Sequence, residues 1–295
     1  MPSKPASPCA LCAFAALAAF AAFAALALGG GAALAEPPLD EPPPPPTAKP
    51  EEGPMGERVV LPAKRLYGRA LLEFELSKDT AFDPVSLTPD IYYGVSADFT
   101  VGLVHSSLGA TGIIGAAGDS LCFTESCSGV YRNFGLDGRY SFTSGKFALA
   151  ANFGLYAGEL DPFRLALKLG IVGRYRPSPT SKLAVDFAPA LFIGITEREP
   201  EMLGQLGNKE VFVVPLTVLY TVAPRVTALV QTGLAIPFEA AGDAYFVPLS
   251  LGASYAINKQ ISVEGAFSFL HLLGGDALLT GADARSLTIG GGYAF

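Results

Sequence analysis

Tryptophan is absent, histidine occurs twice, and only 16% of the 295 residues are charged. An ordinary soluble domain carries about 25% charge, so a water-facing surface of this size would be thinly covered. Basic residues are outnumbered 20 to 27, for a formal charge of −7 and a pI near 4.9. A nucleic-acid partner needs a basic face, and none is available. Two histidines and four cysteines give no metal-ligand spacing, and no cofactor is implied. Gly109, Gly112, Gly115 and Gly118 recur every third residue, but without the strand–helix context of a nucleotide fingerprint. A single long apolar run spans Leu11 to Leu28 and none follows it, which excludes a bundle of membrane helices. What is plentiful is apolar residues (50%, mean hydropathy +0.39), glycine (33) and proline (24). That apolar content excludes a chain disordered throughout.

Residues 1–35 read as a secretory signal. Lys4 is the one charge, the apolar run follows, and Ala33-Leu34-Ala35 supplies small residues before a cut. Residues 36–58 read as an acidic, proline-rich periplasmic linker. Nine of the 18 residues from Pro37 to Pro54 are proline, which fixes φ, donates no hydrogen bond and favours an extended, disordered leader. Residues 59–295 remain for the folded domain.

Within that domain apolar and small residues alternate. Phe147, Leu149, Ala151, Phe153 and Leu155 alternate with Ala148, Ala150, Asn152 and Gly154. Phe163, Leu165, Leu167, Leu169 and Ile171 alternate with Arg164, Ala166, Lys168 and Gly170. Period-two patterning means strands with successive side chains on opposite faces. One face is bulky and apolar. The other is small, with few charges, and would cover a soluble sandwich poorly. Lipid outside and a polar lumen inside fit this pattern, which is that of an antiparallel transmembrane β-barrel. Because lipid supplies no hydrogen bonds, the sheet must close.

Twelve strands are expected, with the count good to two: about 65–77, 88–96, 99–107, 130–142, 146–157, 163–175, 182–195, 210–221, 226–236, 244–256, 260–270 and 286–295. Connections after even strands are short and those after odd strands mostly longer, as in barrels with periplasmic turns and extracellular loops. Both mature termini then lie in the periplasm. Tyr140, Tyr175, Tyr220, Tyr255 and Tyr293 all fall outward near the periplasmic end. Amphipathic rings favour the membrane interface, so they read as a girdle.

The chain ends Gly290-Gly291-Gly292-Tyr293-Ala294-Phe295, with Phe295 in phase with Leu287, Ile289 and Tyr293. This strand resembles the C-terminal assembly signal of bacterial outer-membrane β-barrel proteins, with Tyr293 and Phe295 at its apolar positions. The resemblance implies a bacterial outer-membrane location, outer-membrane lipid as surroundings, and the barrel-insertion machinery as a partner during biogenesis. His105-Ser106-Ser107 weakly resembles the His-x-Ser motif of the outer-membrane phospholipase A family, which implies His105 as base and Ser107 as nucleophile. That family continues with Asn-Gly, whereas Leu108-Gly109 stands here.

Cys122 and Cys127 lie in the long 108–129 loop, where an oxidising compartment favours a local disulfide. Lumen-lining charges are Arg69, Glu73, Glu75, Asp137, Arg139, Arg164, Lys168, Arg174, Asp186 and Glu264, five of each sign. Balanced charge suggests ion pairs that brace a narrow barrel. Many remaining inward positions are alanine or glycine, which would leave space for small polar solutes. Otherwise His105 reads as an interfacial residue ending a strand, with no outward Asn evident on strand four to orient it, and His271 as interfacial too, with no visible partner. A porin-like passive channel is therefore the leading expectation. A non-conducting barrel acting through its loops and a lipid hydrolase are the alternatives.

Overall fold

The computed structural model describes residues 59–77, 81–105, 120–127, 131–199, 206–275 and 281–295. The expected signal and linker, Ser107 and the 109–118 glycine series lie outside them. Fourteen strands join one antiparallel sheet: β1 (Leu66–Glu75), β2 (Val85–Gly94), β3 (Phe99–Val104), β4 (Leu121–Cys122), β5 (Phe134–Thr143), β6 (Phe147–Leu160), β7 (Phe163–Tyr175), β8 (Leu183–Phe187), β9 (Ala190–Gly194), β10 (Val211–Ala223), β11 (Val226–Pro237), β12 (Phe246–Ala256), β13 (Ile261–Gly274) and β14 (Arg285–Ala294). Two of these do not add staves. β8 and β9 both bridge β7 and β10, and they are one strand interrupted at Ala188-Pro189. Proline has no N–H for the ladder, so pairing breaks there. β4 is a two-residue ladder on the outer reach of β2. The barrel therefore has twelve staves. β1 closes it by pairing with both β2 and β14, from Tyr67↔Ala294 to Glu75↔Ser286.

The strands follow the expected segments closely. β2 starts three residues early at Val85, β5 starts late at Phe134, and β13 runs on to Gly274. Val85, Ser86 and Leu87 lie ahead of Pro89 and Asp90, which interrupt the apolar alternation of β2. At one end, here called the terminal end, sit the start of β1, the end of β14 and the short turns 95–98, 144–146, 176–182, 224–225 and 257–260. The opposite, loop end carries the long connections, except that β6 and β7 join through Asp161-Pro162 alone.

Burial is the reverse of a soluble core. Leu136 is 63% exposed, Phe147 53% and Ile289 50%, while Asp90, Ser268 and Thr88 are at 0–1%. Apolar side chains cover the outside of the closed sheet, as hydrocarbon demands, and the inside holds the buried polar groups together with an apolar cluster that includes Val104, Tyr156, Phe192 and Val213.

Residues 59–61, ahead of β1, lie inside the barrel. Val59, Val60 and Leu61 are 4%, 3% and 1% exposed. Val59 and Val60 pack with Ala148 and Ala150 of β6 and against Val172 of β7, all inward positions. The Leu61 N–H donates to the inward Thr100 hydroxyl at 2.7 Å. A turn at Pro62–Arg65, in which the Arg65 N–H donates to Pro62 O, brings the chain round the rim into β1.

Candidate functional site

Period two in β5, β6 and β7 aims Asp137, Asn152, Tyr156 and Lys168 at one point of the interior. Asp137 Oδ1 accepts from the Asn152 amide at 2.8 Å and the Tyr156 hydroxyl at 2.6 Å, with Lys168 Nζ 3.6 Å away. Its Oδ2 accepts from Arg139 Nε at 3.0 Å. Lys168 Nζ also sits over the Tyr156 and Phe192 rings, and the Arg139 guanidinium over Tyr92. Taking a carboxylate and an ammonium out of water is costly unless every lone pair and proton is used. Here three donors and the Lys168 ammonium converge on Asp137.

A second group lies toward the terminal end. Arg69 Nη2 donates to Asp90 Oδ2 at 2.7 Å, and its Nη1 lies 3.9 Å from Glu264 Oε1. Arg174 grips Asp186 with two bonds of 2.7 Å. The side chains of Arg69, Arg174, Asp186 and Glu264 keep 15–30% of their surface exposed, so water reaches them. Toward the loop end, Glu73 accepts from the Ser86 hydroxyl at 3.1 Å, and Glu75 from the Ser77 N–H at 3.0 Å. Arg164 and Arg132 share Glu159.

The charges expected in the lumen thus meet largely as pairs. Alternation did not single out Asp90, Tyr92, Tyr156, Glu159 and Phe192. Asp90 and Tyr92 share the parity of Gly94, and that parity was the available signal. The expectation that small inward residues leave space is corrected at Gly94, Ala148 and Ala150. Residues 59–62 occupy that space.

His105 is also corrected. It is 6% exposed rather than turned toward hydrocarbon, because β3 ends at Val104 and the chain bends over β2. Its N–H donates to Asp90 Oδ1 at 2.8 Å, its Nδ1 contacts Pro89 O, and its Nε2 lies 2.5 Å from the Tyr131 hydroxyl. Both ring nitrogens are engaged. His271 lies within β13, three residues short of its end, with its ring edge-on to Phe246 at 4.8 Å. Cys122 and Cys127 form a disulfide. Tyr140, Tyr175, Tyr220, Tyr255 and Tyr293 sit beside the terminal-end turns or chain end. Tyr140 and Tyr220 are at least half exposed, and Tyr293 packs edge-on to Phe295 at 4.2 Å. Among the described residues no group of three His, Cys, Asp or Glu could hold a metal ion.

The chain matches no known protein family and no curated protein. Solved structures do match. The KdgM porin is 11% identical, with 78% of this chain and 99% of that one covered at a TM-score of 0.50. The NanC porin is 10% identical, with 77% and 98% covered at a TM-score of 0.52. At such identities the shared property is the fold. The chain is a closed, twelve-stave barrel with the fold of these two structures.

Proposed function

We propose that the protein is a porin-like passive channel for small polar solutes in a bacterial outer membrane. The terminal end would face the periplasm and the loops the outside. One observation carries the reading: a closed barrel with an apolar exterior holds water-touched charges of both signs in its interior, at Arg69, Arg174, Asp186 and Glu264. Twelve staves give a bore between the filled eight-stranded barrel and the open channels of 16–18 strands. Paired charges provide polarity without a net field, so discrimination between cations and anions is weak. The C-terminal strand supports delivery by the insertion machinery. Phe295 docks its N–H on Leu66 O at 2.8 Å, which ties the end of β14 to the start of β1 at the seam.

A second reading, a non-conducting barrel that works through its loops, is favoured by the dry Asp137–Lys168 network and by the segment at residues 59–62. Purified protein in planar bilayers separates the two. A channel gives current steps of reproducible size and a reversal potential near zero in a salt gradient. Silence across many insertions would favour the second reading.

A further inference from the structure

The geometry points to Val59–Pro62 as a built-in gate, an apolar segment of the chain seated in the lumen at the terminal end that limits what passes. This rests on the channel reading and deepens it.

Three features of the barrel wall fit the segment. First, the inward residues it meets on β6 are small. Ala148 and Ala150 lie under Val59 and Val60, while the next inward residues of β6 are Asn152, Gly154 and Tyr156. Second, Gly94 leaves room for main chain. A Cβ there would stand 2.0 Å from Pro62 O and 3.0 Å from Leu61 O, and backbone atoms cannot yield as a flexible side chain does. Third, the hold is sparse. Leu61 N–H bonds Thr100, Lys64 N–H bonds Gly94 O at 2.7 Å, and Gly94 N–H bonds Arg65 O at 2.9 Å. No ion pair joins residues 59–62 to the wall among the described residues, since none of the four carries a charge.

The collar formed by Val59, Val60, Ala148, Ala150 and Val172 is apolar carbon, and Leu61 extends it into a second apolar cluster with Tyr92, Val104, Tyr156 and Phe192. An apolar constriction blocks ions by excluding water rather than by opposing charge. Such a block opens when the segment leaves and is insensitive to which ion is present.

The test uses the full-length protein carrying Val60→Cys, with and without Gly94→Val, in two measurements. Maleimide labelling is read by mass spectrometry at the peptide containing residue 60, and single-channel conductance is read in planar bilayers. Where Gly94→Val does not assemble, Val59→Ser with Val60→Ser and Leu61→Ser displaces the segment instead, and conductance is read against wild type. The expected result is a protected cysteine in the parent, a reactive one with Gly94→Val, and unit conductance raised roughly twofold or more as the dry collar opens. A silent parent with a conducting variant supports the gate equally. Equal conductance despite exposure of the cysteine overturns the gate and leaves the channel standing. Silence in both, with the cysteine exposed by Gly94→Val, overturns gate and channel together. A cysteine already reactive in the parent overturns the gate.

Discussion

Asp137 is the acceptor on which the inner network depends. Arg139, Asn152, Tyr156 and Lys168 all direct polar hydrogens at it, and its side chain is 1% exposed. Replacing it with alanine leaves the Lys168 ammonium, 3% exposed, without its carboxylate. Removing one partner of a buried pair costs about 3–5 kcal/mol, because the other charge stays desolvated. Asp137→Ala is therefore expected to unfold at markedly lower urea, read by loss of the heat-modifiable gel band. Arg164→Ala should cost under about 1 kcal/mol, since Arg132 remains on Glu159 and water reaches the site. Equal midpoints for the two variants would show that the network is not what holds the interior. The acidic centre itself was legible as an inward charge at residue 137. Its tyrosine donor was not, because a search of inward positions for charge passes over phenols.

The connections at the loop end are held by their own contacts. Lys209 Nζ lies 3.0 Å from Glu239, whose carboxylate also accepts from the Gly207 N–H at 2.9 Å. The hydrogen bond from Lys209 holds the Glu239 carboxyl below its ordinary 4.5, and the bond to Glu239 holds Lys209 above its ordinary 10.5. A depressed acid stabilises above its unfolded pKa and loses that contribution as pH falls through the folded one. A raised base does so below its unfolded pKa and loses it as pH rises through the folded one. The clamp between residues 206–210 and 238–240 should therefore hold fully from pH 4.5 to 10.5. Limited proteolysis there is expected to be flat within that window and faster beyond either edge. Lys209→Met should accelerate it at neutral pH, and an unchanged cleavage rate would remove the clamp from the account. This contact was invisible in the sequence because it joins two loops 30 residues apart. The strands were legible for the opposite reason. Alternation is local and is enforced by lipid on one face and polar lumen on the other, so it survived wherever a strand crosses. It gave no signal at Val59–Leu61, which cross nothing and so carry no period.

Closure is the property of the whole molecule that everything else requires. Along the seam, β14 meets β1 over nine residue pairs, and the two strands lie at opposite ends of the described chain. Terminal apolar phasing made the last strand legible, whereas the fit of the seam depends on register, which the sequence does not display. Gly290 pairs with Leu71, and a Cβ at 290 would lie 2.1 Å from Ala70 O and 2.8 Å from Leu71 Cα. Those are main-chain atoms of β1, so a larger residue pushes the strands apart instead of displacing a side chain. In water a parted edge is hydrated. In hydrocarbon each N–H and C=O left without a partner costs several kcal/mol. Gly290→Val is therefore expected to yield little heat-modifiable, protease-resistant barrel when refolded into detergent or lipid vesicles. Gly68, on β1 of the same seam, has nothing within 4 Å of where its Cβ would stand. Gly68→Ala should refold with wild-type yield, which separates a closure defect from a general intolerance of glycine substitution. A Gly290→Val protein that refolds as well as Gly68→Ala would mean that β1 and β14 are not held in this register.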